Sequence, residues 1–173
     1  MEIILEIFRE KDLLMEGRIL KRDAVRGVIL GKNEKLLMVY SKHRGDYKLP
    51  GGGVQKGETH EDALKREIRE ECGLKVALIK KILGKVIEYK KARDKGYDIF
   101  QMNSYYFICS VSGDLEQMQL DEYEKKLGFT PVWVELEEAL DTNRKILNSE
   151  SGDPNSWVER ETKVLEWLKE KMV

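Results

Sequence analysis

The chain has 173 residues, 31 Lys and Arg against 32 Asp and Glu, and a formal net charge of −1. That length favours one domain with its own core, and the balanced charge removes the electrostatic footprint of a general DNA or RNA binder. The two cysteines form neither a disulfide framework nor a zinc spacing and fit a reduced, cytoplasmic setting. No stretch approaches the roughly 20 apolar residues of a membrane span. The opening "MEIILEIFREKD", with Glu6 in a short apolar run and no basic leader, is unlike a signal peptide.

Taken in chain order, "IILEIF" and "LLMEGRIL" read as short strands. "AVRGVIL" (Ala24–Leu30) and "KLLMVYS" (Lys35–Ser41) are rich in β-branched and apolar residues, and the turn "GKNE" between them predicts a hairpin. A helix starts at the capping box Thr59-x-x-Asp62 and stops near Gly73. "KVALIKKILGKVIEYK" and "IFQMNSYYFICSV" read as longer strands joined by the polar loop "KARDKGYD". The segment "QLDEYEKKLGF" reads as a loop and "PVWVEL" as a short strand. A second helix covers about Glu135–Leu147, with Leu136, Ala139, Leu140, Ile146 and Leu147 as its apolar stripe. A third, "SWVERETKVLEWLKEKM", opens on the box Ser156-x-x-Glu159 and turns Trp157, Val164, Leu165 and Leu168 to the core. Strands, a helix, more strands and two helices make an α/β chain with a mixed sheet covered by helices.

The chemistry concentrates around the first helix. Gly51, Gly52 and Gly53 follow Leu49-Pro50 and let the backbone turn and approach a ligand closely. A glycine-rich loop feeding a helix ordinarily points to an anion site. Here, however, Glu67, Glu70 and Glu71 stand at i, i+3 and i+4 on one helix face, where like charges repel. A phosphate sits beside such acids only through a cation, and a hard dication such as Mg²⁺ is held by carboxylates together with substrate phosphates. The lack of a His/Cys cluster disfavours zinc.

Gly52, five residues, Glu58, seven residues, Arg66-Glu67-Ile68, one residue, Glu70-Glu71, one residue, Gly73-Leu74: this stretch resembles the Nudix box at every defined position. The flanks "RGVILGKNEKLLMVYSKHRGDYKLPGGG" and "TPVWVELEEAL" resemble the family's lead-in and closing elements, so the likeness spans about Ala24–Leu147. It implies a Nudix α/β/α sandwich over residues 1–173, with extra N-terminal strands in 1–22 and a C-terminal helix in 155–172. The implied activity is hydrolysis of a diphosphate bond in a nucleoside diphosphate derivative, whether nucleotide, nucleotide sugar or dinucleoside polyphosphate. Mg²⁺ is the implied cofactor, with Mn²⁺ an alternative.

Carried onto this chain, the resemblance makes Glu67, Glu70 and Glu71 the main metal ligands and the Gly51 carbonyl a further one. Glu58 would act through water or behind the ligands, and Arg66 would orient Glu67. The base would be a box glutamate such as Glu67 or an acid of the later loop, Glu124 before Glu122. Arg26, Lys42 and Arg44 are candidate phosphate contacts. Tyr47, with Tyr97, Phe100 and Phe129, offers candidate stacking faces. His43 and His60 read as surface residues, and Cys72 and Cys109 as packing residues. A non-catalytic nucleotide sensor of the same fold would be marked by lost box acids, and none is lost. An isopentenyl diphosphate isomerase would need a catalytic cysteine and more histidines. Balanced charge lowers the case for an RNA 5′-end substrate, and the N-terminal strands could pair across a homodimer.

Overall fold

The computed structural model describes residues 1–113, 116–149 and 157–172. Strands β1 (Ile3–Phe8), β2 (Ile19–Ile29), β3 (Leu36–Ser41) and β4 (Tyr47–Lys48) precede helix α1 (His60–Cys72). Strands β5 (Lys75–Lys91) and β6 (Ile99–Ser112), the short helix α2 (Glu122–Leu127), strand β7 (Phe129–Val134) and helices α3 (Leu136–Leu147) and α4 (Val158–Met172) follow. A four-stranded mixed sheet has the order β1-β5-β6-β2, and a three-stranded sheet the order β4-β3-β7. β1 runs parallel to β5 and β2 parallel to β6, while β5 and β6 are antiparallel.

Alternation along β2 shows how the layers form. Val25 and Ile29 join the core that contains Ala63, Leu64, Ile68 and Cys72 of α1. Val28 joins the other core, with Ala139 and Leu140 of α3 and Val164, Leu165 and Leu168 of α4. Successive strand residues point to opposite faces, so α1 covers one side of the sheet and α3 and α4 the other. This is the α/β/α sandwich expected. No helix among the described residues is long and apolar enough to cross a membrane.

Several elements differ from expectation. The predicted strand "LLMEGRIL" contributes only Ile19 and Leu20, as the start of the eleven-residue β2. The turn at "GKNE" does close, with the Gly31 N–H donating to the Lys35 carbonyl at 2.8 Å and one bridge at Leu30–Leu36. Beyond it the two strands separate into different sheets, because both edges of β2 are already taken. One edge pairs with β6 along its whole length. The other receives the glycine-rich segment: Val25 N–H donates to the Gly52 carbonyl (2.9 Å), Gly27 N–H to the Pro50 carbonyl (2.8 Å) and Val54 N–H to the Asp23 carbonyl (2.9 Å).

Helix ends follow local chemistry. The Thr59 hydroxyl accepts from the Asp62 N–H and donates to the Asp62 carboxylate, which leaves the cap one-sided rather than a reciprocal box. Gly73 ends α1 in the left-handed region, at φ 66°. The segment read as a loop before β7 contains α2, where Asp121 and Glu124 form the full reciprocal box. In α3, Ala139 and Leu140 are buried but Leu147 is exposed. Ser156, proposed as the cap of the last helix, lies outside the described residues.

An ionic network ties the chain's ends to the sheet. Glu88 on β5 accepts from Arg160 at 2.7 Å and also from Arg9, which follows β1. Arg9 reaches Glu159 at 2.8 Å, and Arg160 bonds Glu161 at 2.8 and 3.0 Å. Glu161 in turn accepts the Leu49 N–H at 2.9 Å.

Burial alone would raise the Glu88 carboxyl; Arg160 and Arg9 outweigh it and hold the group at about 2, below its ordinary 4.5. A carboxyl depressed in the folded state stabilises the fold above the unfolded value and loses that contribution as pH falls through the folded one. Urea unfolding should therefore show stability falling between pH 4.5 and about 2, with a smaller drop in Glu88→Gln. The same variant near neutral pH should be less stable by about 3 kcal/mol, because two buried guanidinium groups lose their shared partner; an unchanged urea midpoint would refute the network's role.

Candidate active site

Helix α1 presents Glu67 and Glu71 one turn apart to the glycine-rich segment, and both are buried, at 8% and 1% exposure. The contact is close enough to demand glycine. A Cβ on Gly52 would lie 2.4 Å from the Glu67 carboxylate, and one on Gly51, at φ 139°, would lie 2.0 Å from the Val25 carbonyl. The Gly51 N–H donates to Glu71 at 2.8 Å. The Lys48 ammonium donates to the other Glu71 oxygen at 2.5 Å and to the Gly51 carbonyl at 3.0 Å. From the opposite side, α2 supplies Glu124, one of whose oxygens accepts the Asp121 N–H at 2.9 Å. Carboxylate oxygens of Glu67, Glu71 and Glu124 all lie within 4.8 Å of one another.

Crowding and burial are visible in the proton affinities. Burial raises the Glu67 carboxyl, Arg66 pulls it back and Glu71 pushes it up again. Burial lifts Glu124 to about 7, opposed by its bond from the Asp121 backbone and reinforced by Glu71. Three hard oxygen donors at this separation, with no thiolate or imidazole among them, suit a hard divalent cation.

Arg66 organises the acids behind this cluster. Its guanidinium donates to both oxygens of Glu58 (2.8 and 2.9 Å), to Glu67 (2.7 Å), to Glu70 (3.1 Å) and to the Gly53 carbonyl (3.0 Å). Those bonds hold Glu58 at about 2. Glu58 and Glu70 thus face Arg66, outside the close group of three. The repulsion read from the sequence is relieved in part by the chain's own Arg66 and Lys48, not by a metal alone.

The remaining candidates fall in different places. Arg26 lines a cavity on the α4 side of the sheet, together with Phe100. Arg44 stacks 4.6 Å over the Trp157 ring and lies 3.4 Å from Asp46. Lys42 is exposed beside Gly128, to whose carbonyl its N–H donates at 3.4 Å. Tyr47 leans on Tyr40 at 4.9 Å, and Asn143 of α3 holds its backbone N–H and carbonyl. Phe129 is a buried core ring. Tyr97 lies 5.9 Å from the Arg18 guanidinium, in the β5–β6 connection. Glu122 is exposed and pairs with Lys125 at 3.3 Å, away from the cluster. His60 meets Asp23 at 3.1 Å and packs on Tyr105. Both cysteines are buried, and burial pushes their thiols up. The sequence reading missed Lys48 and Glu161; no spacing marks either, since each acts on a partner distant in sequence.

Comparison with known proteins agrees with this architecture. The NUDIX domain model matches residues 20–168. An ADP-ribose pyrophosphatase from Methanocaldococcus jannaschii is 40% identical over 93 residues, 52% of this chain and 51% of that protein. This chain thus spans about half the length of that relative. An RNA pyrophosphohydrolase from a Sulfurovum species is 32% identical over 121 residues, 64% of this chain and 74% of its own. The crystal structure of a MutT protein from Methanosarcina mazei shares the fold at a TM-score of 0.54 and 19% identity, over 92% of this chain and all of that one. With its box helix, glycine-rich segment and layered sheets in the same chain, this protein belongs to the NUDIX domain family.

Proposed function

We propose that the chain hydrolyses a diphosphate bond in a nucleoside diphosphate derivative, with Mg²⁺ or Mn²⁺ held by Glu67 and Glu71 and with Glu124 beside them as the base. The observation that carries this is the convergence of three carboxylate oxygens within 4.8 Å beside a glycine-rich segment. The names of the relatives, an ADP-ribose pyrophosphatase and an RNA pyrophosphohydrolase, support cleavage of the same kind of bond. Balanced net charge favours a small nucleotide over an RNA end.

A bound dication would polarise the phosphorus and lower the pKa of a bound water. The chain's residues do the rest. Arg66 fixes the rotamer of Glu67, keeps Glu58 ionised and holds Glu70 by a hydrogen bond. Lys48 and the Gly51 N–H hold the Glu71 carboxylate in place. Glu124 is the general base, since a carboxyl at about 7 exchanges a proton near neutral pH. Glu70 and the Gly51 carbonyl are further oxygen donors at the edge of the cluster. Arg26, Lys42 and Arg44 are the cations proposed to meet the substrate's phosphates.

The two buried thiols fit a reducing cytoplasm. A homodimer would pair through β1, an edge strand with Ile3 and Phe8 half exposed; sedimentation showing only monomer at micromolar concentration would rule that out.

A panel containing ADP-ribose, oxidised nucleoside triphosphates, dinucleoside polyphosphates and 5′-triphosphorylated RNA, assayed with Mg²⁺, tests the reading. At least one small nucleotide should be cleaved, and Glu67→Gln and Glu71→Gln should each lower kcat by two orders of magnitude or more, about 3 kcal/mol or more of barrier. No turnover on any member would refute it.

Glu124→Gln should cost about 10²- to 10⁴-fold in kcat. The parent's rate should rise with pH as Glu124 loses its proton, with the limb at or below about 7 because a bound cation lowers it. A Glu124→Gln profile that keeps the same limb would assign the base elsewhere.

A further inference from the structure

A cavity of about 200 Å³ opens where β1, β5, β6 and β2 meet α4. Ligand pockets for whole drug-sized molecules run about 300–1,000 Å³, so this one takes a single group of a larger substrate. Its polar wall holds Arg9, Arg26, Glu88, Lys90 and Arg160. Arg9 and Arg160 are already committed to Glu88, Glu159 and Glu161 in the network described above.

Arg26 and Lys90 are different. Among the described residues neither forms an ion pair with a carboxylate. The Arg26 side chain, 8% exposed, gives one hydrogen bond to the Val25 carbonyl at 3.0 Å, and its Nε has no partner. Trp157 lines the same cavity, and its buried ring N–H is a second donor without a partner. The Lys90 ammonium lies 4.9 Å from the Phe100 ring. Buried donors are almost always satisfied, and here the two residues that carry unpartnered donors line one cavity, together with Lys90, and among the described residues neither Arg26 nor Lys90 has a paired carboxylate. A neutral nucleobase would leave both cations unpaired, whereas an oxyanion would answer donors and charges together.

A relay of contacts runs from the cavity wall to the carboxylate cluster. The Trp157 ring meets Phe129 edge-on at 5.9 Å, the Lys48 ammonium lies 5.1 Å from Phe129, and Lys48 bonds Glu71. Arg9 precedes residues 20–168, which the family model matches, so one wall of the cavity comes from outside the matched region.

We propose that this cavity is an anion subsite for a second phosphate of the substrate, carried beyond the diphosphate that is cleaved, with Arg26 and Lys90 as its specificity-determining cations. The proposal rests on the cluster being the diphosphate site, and it makes a phosphorylated nucleoside diphosphate derivative the preferred substrate over its unphosphorylated counterpart.

Binding measured by calorimetry with Mg²⁺ present separates it from the hydrolase reading, because none of the probes carries a diphosphate bond and no turnover is needed. The probes are adenosine 2′,5′-bisphosphate, AMP and inorganic phosphate. The bisphosphate should bind about 10- to 100-fold tighter than AMP, the effect of one or two charge-assisted hydrogen bonds. Lys90→Met and Arg26→Gln should each shrink that preference to about threefold or less, and Lys90→Arg should keep it. Should Arg26→Gln fail to fold, the half-buried Lys90 variants decide the matter. Equal or undetectable binding of bisphosphate and AMP to the parent overturns the proposal, as does a preference that survives the substitutions. Inorganic phosphate binding as tightly as the bisphosphate would mark a free-phosphate site and overturn it too.

Discussion

The pairing of residues 50–54 along the outer edge of β2 is the constraint on which the site depends. It fixes the Pro50 and Gly52 carbonyls and the Val54 N–H to a strand whose other edge is locked to β6. Gly52 then lies against Glu67 of α1, and Gly51 against the Val25 carbonyl of β2, at separations that no side chain tolerates. Glu67 and Glu71 therefore meet backbone rather than solvent, and the Gly51 N–H can hold Glu71 directly. Without that edge pairing, the acids of α1 would remain a solvated stripe.

Charge is managed in two ways in this molecule. Around α1 the compensation is incomplete by construction. Arg66 and Lys48 each serve several acceptors, and Glu67 and Glu124 are still left with raised proton affinity. Around Glu88 the compensation is dense. Two guanidinium groups converge on one carboxylate, and its proton affinity falls despite burial. Raised affinity marks a place ready for a cation or a proton, while lowered affinity marks a structural tie.

Much of this was legible in the sequence. The spacing from Gly52 to Leu74 located the helix, its glycine cap and the acids that converge, because helix geometry turns spacing directly into a shared face. The layered α/β class followed from the order of elements. What stayed hidden was long-range. Nothing local shows that the partner for β2 at its outer edge is the glycine-rich segment rather than β3, so the hairpin expected from the turn is longer than the single bridge that forms. α2 is six residues long, too short to reveal a helical period, and its capping box was the one local sign. Glu70 shares the helix face of Glu67 and Glu71, yet it faces Arg66, a distinction of side-chain direction that periodicity cannot make. Lys48 and Glu161 act across gaps of 23 and 112 residues.

The meeting of Arg9 and Arg160 on Glu88 joins the two extremities of the polypeptide at one atom group, on the opposite side of the sheet from the box helix. The carboxylate cluster is held instead by Arg66, Lys48 and the Gly51 N–H, none of them from these two segments. Changes in the segments around Arg9 and Arg160 can therefore reshape the α4 face of the sheet while the bonds that position Glu67 and Glu71 stay in place.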